Sequence, residues 1–205
     1  MTVQRTLDVS QLPMYKISNA APLWWGQVCL AGIEGTMFSI LIAMYYYIRL
    51  TMDVWPPPGV HVPEQVLPAV CMVLLLLSCI GSYVASEAAK KNERFRMIFG
   101  LGLNLLLASI AMVLRGFNWN SWNFKWSTTA YGSITWAMMF LHTVDAVADL
   151  VFTLVLIVLL VLGRSGPKQR LGVHIDSVIW YFLVAIWIPM YVTIFWGPAL
   201  VGIPR

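Results

Sequence analysis

The sequence predicts an all-α, polytopic membrane protein with five transmembrane helices. Three observations carry this reading. Of 205 residues, 60% are apolar and only 11% charged, against about a quarter charged in an ordinary soluble domain. The apolar residues are gathered into five long runs with short polar breaks between them. Each run approaches the ~20 residues that a helix needs to cross ~30 Å of hydrocarbon, and a helix satisfies its own backbone hydrogen bonds where lipid offers none.

The first run spans Trp25 to Ile48, and Trp55-Pro56-Pro57-Pro58-Gly59 cannot continue its helix. The second spans Val66 to Ala88 and ends in the charged hairpin Lys90-Lys91-Asn92-Glu93-Arg94. The third spans Met97 to Leu114 and is followed by a polar, Trp-rich loop from Gly116 to Thr129. The fourth, Ile134 to Leu162, is long enough to tilt or protrude. After the turn Arg164-Ser165-Gly166-Pro167-Lys168, the fifth spans Ser177 to Val201, with a kink expected at Pro189. Residues 1–23 read as a cytoplasmic N-terminal segment and 24–205 as one membrane domain. The first 23 residues lack an apolar core before a small-residue cleavage site, so no removed signal peptide is expected.

Lysine and arginine set the orientation. Arg5, Lys16, Lys90, Lys91, Arg94, Arg96, Arg164, Lys168 and Arg170 share one side, and Arg49, Arg115, Lys125 and Arg205 the other. This asymmetry places the N-terminus in the cytoplasm and the C-terminus outside. Trp24, Trp25, Tyr45, Tyr46, Tyr47, Trp55 and Trp196 sit near span ends, as interfacial aromatic belts do. Ser78, Ser82 and Ser86, with Gly81 and Ala85, make a small-residue seam for close helix packing. Cys29, Cys71 and Cys79 lie in apolar runs without ligand spacing. The net charge of +4 is dispersed, so no nucleic-acid partner is expected.

Four ionisable groups fall inside spans: Glu34 in the first, and His142, Asp145 and Asp149 in the fourth. The last three, at i, i+3 and i+7, share one helix face. A charge at mid-bilayer costs about 2.5–3.5 kcal/mol on insertion scales. The stripe should therefore face the bundle interior, a partner subunit or a lipid head group. Three readings stay open. Glu34 and the stripe pair and hold spans one and four together, or they form a proton or ion route, or His142 and the carboxylates ligate a metal. A single imidazole argues against the last. The spans lack a histidine pair for haem, a nucleophile arrangement and a phosphate loop. No catalytic residue, resident metal or cofactor is expected, which points to an accessory subunit.

The motifs resemble subunit III of haem-copper cytochrome c oxidase. Tyr131-Gly132-Ser133 followed by His142 is similar to that family's Tyr-Gly-Ser and His-Gly-x-His-Val. Trp24-Trp25-Gly26-Gln27 leading to Glu34 and Tyr45-Tyr46-Tyr47 resembles its helix with a buried glutamate. Trp55-Pro56-Pro57 resembles the loop that follows, and His174 to Trp180, then Trp196-Gly197, its last helix. The pieces lie in order along nearly the whole chain and resemble the short five-helix bacterial form, without the two extra N-terminal helices of longer members. There are departures. Asp145 replaces the second histidine, and Asp149 a small residue. The family's Gln-x-Tyr-Glu-Tyr reads Arg115-Gly116-Phe117-Asn118-Trp119, so its glutamate is Asn118. Ser177 stands where the family has aspartate, with Asp176 one residue early.

The resemblance implies a divergent, non-catalytic component of a respiratory terminal oxidase in the bacterial plasma membrane. Such a subunit packs against catalytic subunit I, holds phospholipid and sustains proton uptake, with haem and copper in the partner subunits. Glu34, His142 and Asp145 match residues lining the family's interior. Arg49 and Arg115 are candidate lipid-phosphate contacts through charge-assisted bonds, or snorkelling interfacial side chains. The alternatives are an accessory subunit of a nitric oxide reductase, or a small proton or ion transporter using Glu34, Asp145 and Asp149.

Overall fold

The structure is a computed structural model that describes residues 21–201 together with Ile17. Arg5, Lys16 and Arg205, which entered the charge asymmetry, and nearly all of the 1–23 segment lie outside the described residues. The described residues form α1 (Pro22–Leu50), α2 (Val66–Lys91), α3 (Arg94–Asn120), α4 (Ala130–Val161) and α5 (Pro167–Tyr191). A π-helical turn (Val192–Trp196) and α6 (Gly197–Val201) follow. Five helices, the last counted from Pro167 to Leu200, are long and apolar enough to cross a membrane.

The sequence explains where the helices begin and end. Pro22 and Pro167 occupy first-turn positions, where a missing N–H costs nothing. Asn92 closes α2 in the left-handed conformation at φ 59°, and α3 starts two residues later. Thr129 caps α4, its Oγ1 accepting from the Gly132 N–H at 3.0 Å. A side chain on Gly132 would lie 2.5 Å from the Lys125 carbonyl oxygen. Ser133 Oγ donates to the Trp126 carbonyl at 2.6 Å. The Tyr-Gly-Ser motif is thus the anchor of the preceding loop.

Two helices run further than their apolar stretches. The third continues to Asn120, through residues 116–120 that were expected in a loop, because Arg115 and Asn118 are buried. The fifth begins at Pro167, ten residues before Ser177, because its polar first turns find partners in α2. Pro189 lies inside α5, and the backbone widens into the π turn just beyond it, where Thr193 Oγ1 donates to the Pro189 carbonyl at 2.8 Å.

The small-residue seam on α2 packs two neighbours at once. A side chain on Gly81 would meet the backbone of Gly100 and Asn104 at 2.7 Å, and one on Gly100 would meet Ala85 and Gly81 at 2.6 Å. The α2 and α3 backbones therefore touch along this line. The serines face α5 instead. Trp180 Nε1 donates to Ser78 Oγ at 2.8 Å, Ser177 Oγ donates to the Ser82 carbonyl at 2.9 Å, and Ser86 Oγ lies 2.8 Å from His174 Nδ1.

The aromatic belt is smaller than expected. Tyr45 and Trp55 are buried, with Trp55 Nε1 donating to Tyr45 Oη at 3.1 Å. They pack edge-on with Tyr131 and Phe124 in a ring cluster under the α1–α2 and α3–α4 loops. Trp25, Tyr47 and Trp196 are exposed. Among the spans, α1 is the least buried.

Candidate functional site

The face of α4 that carries His142, Asp145 and Asp149 divides the interior into two polar regions. His142 turns inward and is buried. Its Nδ1 lies 2.9 Å from Arg115 Nη1, and its Nε2 lies 3.0 Å from the Leu183 carbonyl oxygen. Guanidinium only donates, so Nδ1 accepts and Nε2 carries the hydrogen given to Leu183. This pairing fixes the neutral imidazole and ties α3, α4 and α5 together. Arg115 Nη1 also donates to Thr143 Oγ1 at 3.1 Å, and its guanidinium carbon sits 4.0 Å over the Trp187 ring. Phe38 packs edge-on to His142 from α1.

Asp145 and Asp149 point the other way. With Glu34 of α1 they line a cleft of about 370 Å³ between α1, α4 and α5, whose walls are apolar side chains such as Leu30, Phe152, Ile179 and Leu183. Glu34 and Asp145 are partly exposed in it, and Asp149 is buried. Asp176 of α5 is fully buried and accepts from Thr153 Oγ1 at 2.9 Å. One carboxylate oxygen each of Asp145, Asp149 and Asp176 is enclosed without a hydrogen-bond partner. The two ion pairs among the described residues, Lys90–Glu87 and Arg96–Glu93, are exposed at helix ends and touch neither region.

The structure thus separates residues that the sequence suggested were partners. Glu34, Asp145 and Asp149 come together around the cleft, whereas His142 pairs with Arg115 and a backbone carbonyl. Both ring nitrogens of His142 are engaged, so it does not join the carboxylates as a ligand set. Among the described residues no group of three or more histidine, cysteine or acidic side chains is placed to hold a metal ion. Arg115 is 2% exposed, so it sits in the core in place of the lipid contact or interfacial position considered for it. Arg49 is partly buried near the end of α1 and donates to the Met52 carbonyl at 2.8 Å. His174 stacks on Trp24 at 6.0 Å between centroids. Trp180 and Tyr131 are core residues, and Trp25 faces outward. Asp176 entered the sequence reading only as a departure, one residue before Ser177 where the family has aspartate, and not as a site residue.

Comparison with known proteins agrees with this architecture. The family model described as cytochrome c oxidase subunit III matches residues 23–198. Proteins named cytochrome c oxidase subunit 3 are similar to the chain. The wheat (Triticum aestivum) protein is 24% identical over 144 residues, covering 70% of this chain and 54% of its own length. The Schizophyllum commune protein is 26% identical over 150 residues, covering 71% and 55%. The Synechocystis protein is 22% identical over 177 residues, covering 83% and 74%. The chain spans about half the length of the wheat and fungal relatives it matches. The family match runs from the first span to the π turn and beyond, a range that includes Glu34, the Tyr-Gly-Ser anchor and the inward-facing histidine, and the chain belongs to the cytochrome c oxidase subunit III family.

Proposed function

We propose that the chain is a non-catalytic, subunit III-like component of a haem-copper respiratory terminal oxidase in a bacterial plasma membrane. It would stabilise the catalytic subunit I, hold phospholipid and support proton uptake, with haem and copper carried by the partner subunits. The observation that carries this reading is the family match over residues 23–198. The cleft supports the accessory role. Its apolar walls suit an acyl chain, and Glu34, Asp145 and Asp149 along it suit proton exchange with water at its mouth. Arg49, near the loop end of α1, stays the candidate for a lipid phosphate.

Purification of the tagged chain from its native membrane in mild detergent tests this. The expected result is copurification with a large multi-span partner and haem absorbance, whose spectrum also separates an oxidase from a nitric oxide reductase. A colourless chain that purifies alone would overturn the proposal. One observation favours a second reading, a small proton or ion transporter: three carboxylates line one cleft with no basic partner among the described residues. Ion flux through vesicles containing only this chain would establish it, and its absence would remove it.

A further inference from the structure

Two aspartates at the inner edge of the cleft lack any balancing charge. Asp149 is 6% exposed and Asp176 is not exposed at all. They sit on facing sides of α4 and α5. Thr153, one turn beyond Asp149 on α4, donates to Asp176 Oδ1 at 2.9 Å, and side chains one turn apart stand about 5–6 Å from each other at Cβ. Ile175 and Ile179, on either side of Asp176 in the α5 sequence, line the cleft together with Asp149. Asp149 is thus part of the cleft wall, and Asp176 lies just behind it.

Each of the two has one oxygen, Oδ2, that is sealed from water and reached by no hydrogen-bond donor. Among the described residues no cation relieves them. From α1 the facing group is Glu34, and on α4 itself Asp145 is one turn away. From α2 they are the neutral Ser78, Ser82 and Ser86, of which the last holds Nδ1 of His174, whose ring stacks on Trp24. The arginines of α3 are used elsewhere, Arg94 on the Leu160 and Val161 carbonyls, Arg96 on Glu93, and Arg115 on His142 and Thr143. A buried carboxylate without a counter-charge is costly, and a second one beside it adds repulsion. An ion or a water would have to touch the enclosed oxygens to relieve this, and they are sealed. A proton needs no such room, since it bonds to the oxygen itself and removes the charge.

We propose that Asp149 and Asp176 are carried as neutral acids at neutral pH and form a two-step proton store at the inner end of the cleft, Asp149 exchanging directly with the cleft and Asp176 only past Asp149. Only one oxygen of Asp149 is enclosed, so its carboxyl has one side to the cleft and one to the interior. When Asp149 gives its proton to water in the cleft, the O–H bond breaks and one negative charge stays on the carboxylate. A proton returning from the cleft, or the one carried by Asp176, restores it. The store rests on the reading of the cleft as a place of proton exchange and needs no oxidase partner.

Infrared difference spectroscopy of the purified full-length chain in lipid vesicles tests this, by following the carboxylic acid C=O stretch as H2O is replaced by D2O. The expected result at neutral pH is a protonated band for each aspartate, that of Asp149 shifting fast and that of Asp176 slowly. Asp149→Asn should remove the fast band and slow the Asp176 band further, to the pace of bundle opening. Asp176→Asn should remove the slow band and leave the fast one unchanged. Thr153→Val should raise the frequency of the Asp176 band, whose carbonyl oxygen loses its donor, a measurement that stands even if an Asn variant fails to fold. Absence of both bands in the unaltered protein, an Asp176 band unmoved in Thr153→Val, or Asp176 exchange unchanged in a folded Asp149→Asn protein would each overturn the proposal. The chain is measured alone, so a missing haem-bearing partner, which sinks the oxidase reading, leaves these bands in place and the two failures are told apart.

Discussion

The two polar regions on either side of α4 differ in sign and in how they are closed. Around His142 the structure gathers one guanidinium and a set of N–H donors, with no carboxylate among the described residues. Around the cleft it gathers Glu34, Asp145, Asp149 and the neighbouring Asp176, with no basic group among the described residues. Buried charges usually pair with one another, because bringing both out of water is tolerable only when each offsets the other. Here the guanidinium and the carboxyl groups are kept apart within one small bundle. The cationic side is sealed by Trp187, Phe38 and Met139, all buried or packed against the core. The acidic side opens laterally between α1 and its neighbours, where α1 is least buried. The difference teaches that the two regions are closed in different ways: the cationic one by packing and hydrogen bonds within the bundle, the acidic one only in part.

The largest effect that would break this contrast is expected at His142. His142→Leu removes the acceptor of a fully buried guanidinium and the donor to Leu183, and should destabilise the protein by about 3 kcal/mol. Chemical unfolding in detergent micelles measures it; a loss below about 1 kcal/mol would mean that Arg115 finds another partner. Combining it with Arg115→Met should cost less than the two changes added, since no bare charge then remains, with a coupling of about 1–3 kcal/mol. Additive losses would show that the pair is not a unit.

On the acidic side, Thr153→Val leaves the fully buried Asp176 without its hydrogen-bond donor and should cost about 2 kcal/mol. Asp176→Asn keeps an acceptor for Thr153 and should cost less than about 1 kcal/mol, so the ratio of the two in the same unfolding assay tests that bond. Equal losses would place the cost in the packing of α5 and remove the hydrogen bond as its cause. The smallest effect is expected at Glu34, which faces the open cleft. Glu34→Gln should change stability by no more than about 0.5 kcal/mol. If the chain supports proton uptake, the same variant should lower sustained oxygen consumption of the assembled complex while assembly is unchanged. Normal sustained turnover would detach Glu34 from that role.

Much of this was legible from residue order. The five spans and the Ser78–Ser82–Ser86 seam follow from local periodicity, and the structure uses them as expected. Misreadings came where a polar residue looked like a boundary. The loop read from Gly116 to Thr129 and the turn read at Arg164 to Lys168 both overlap helix: α3 runs on to Asn120 with Asn118 buried, and α5 begins at Pro167, with His174 meeting Ser86 of α2. Tyr45 and Trp55 looked like interfacial aromatics, but each supplies the other with a hydrogen bond and so can be buried.

The sequence by itself determined the five apolar helices, the stripe of His142, Asp145 and Asp149 on one face, and the family pattern. All of these depend only on spacing along the chain and on the length a bilayer demands. Only the tertiary structure decided that this stripe splits, sending His142 to Arg115 and the aspartates to the cleft with Glu34. It also decided that Asp176 joins the acidic side and that Arg115 lies within the core. Which charges meet depends on how α3, α4 and α5 are rotated against one another. Those rotations follow from the close backbone contact at Gly81 and Gly100 and from the hydrogen bonds of α5 to the α2 serines, contacts between residues far apart in the chain.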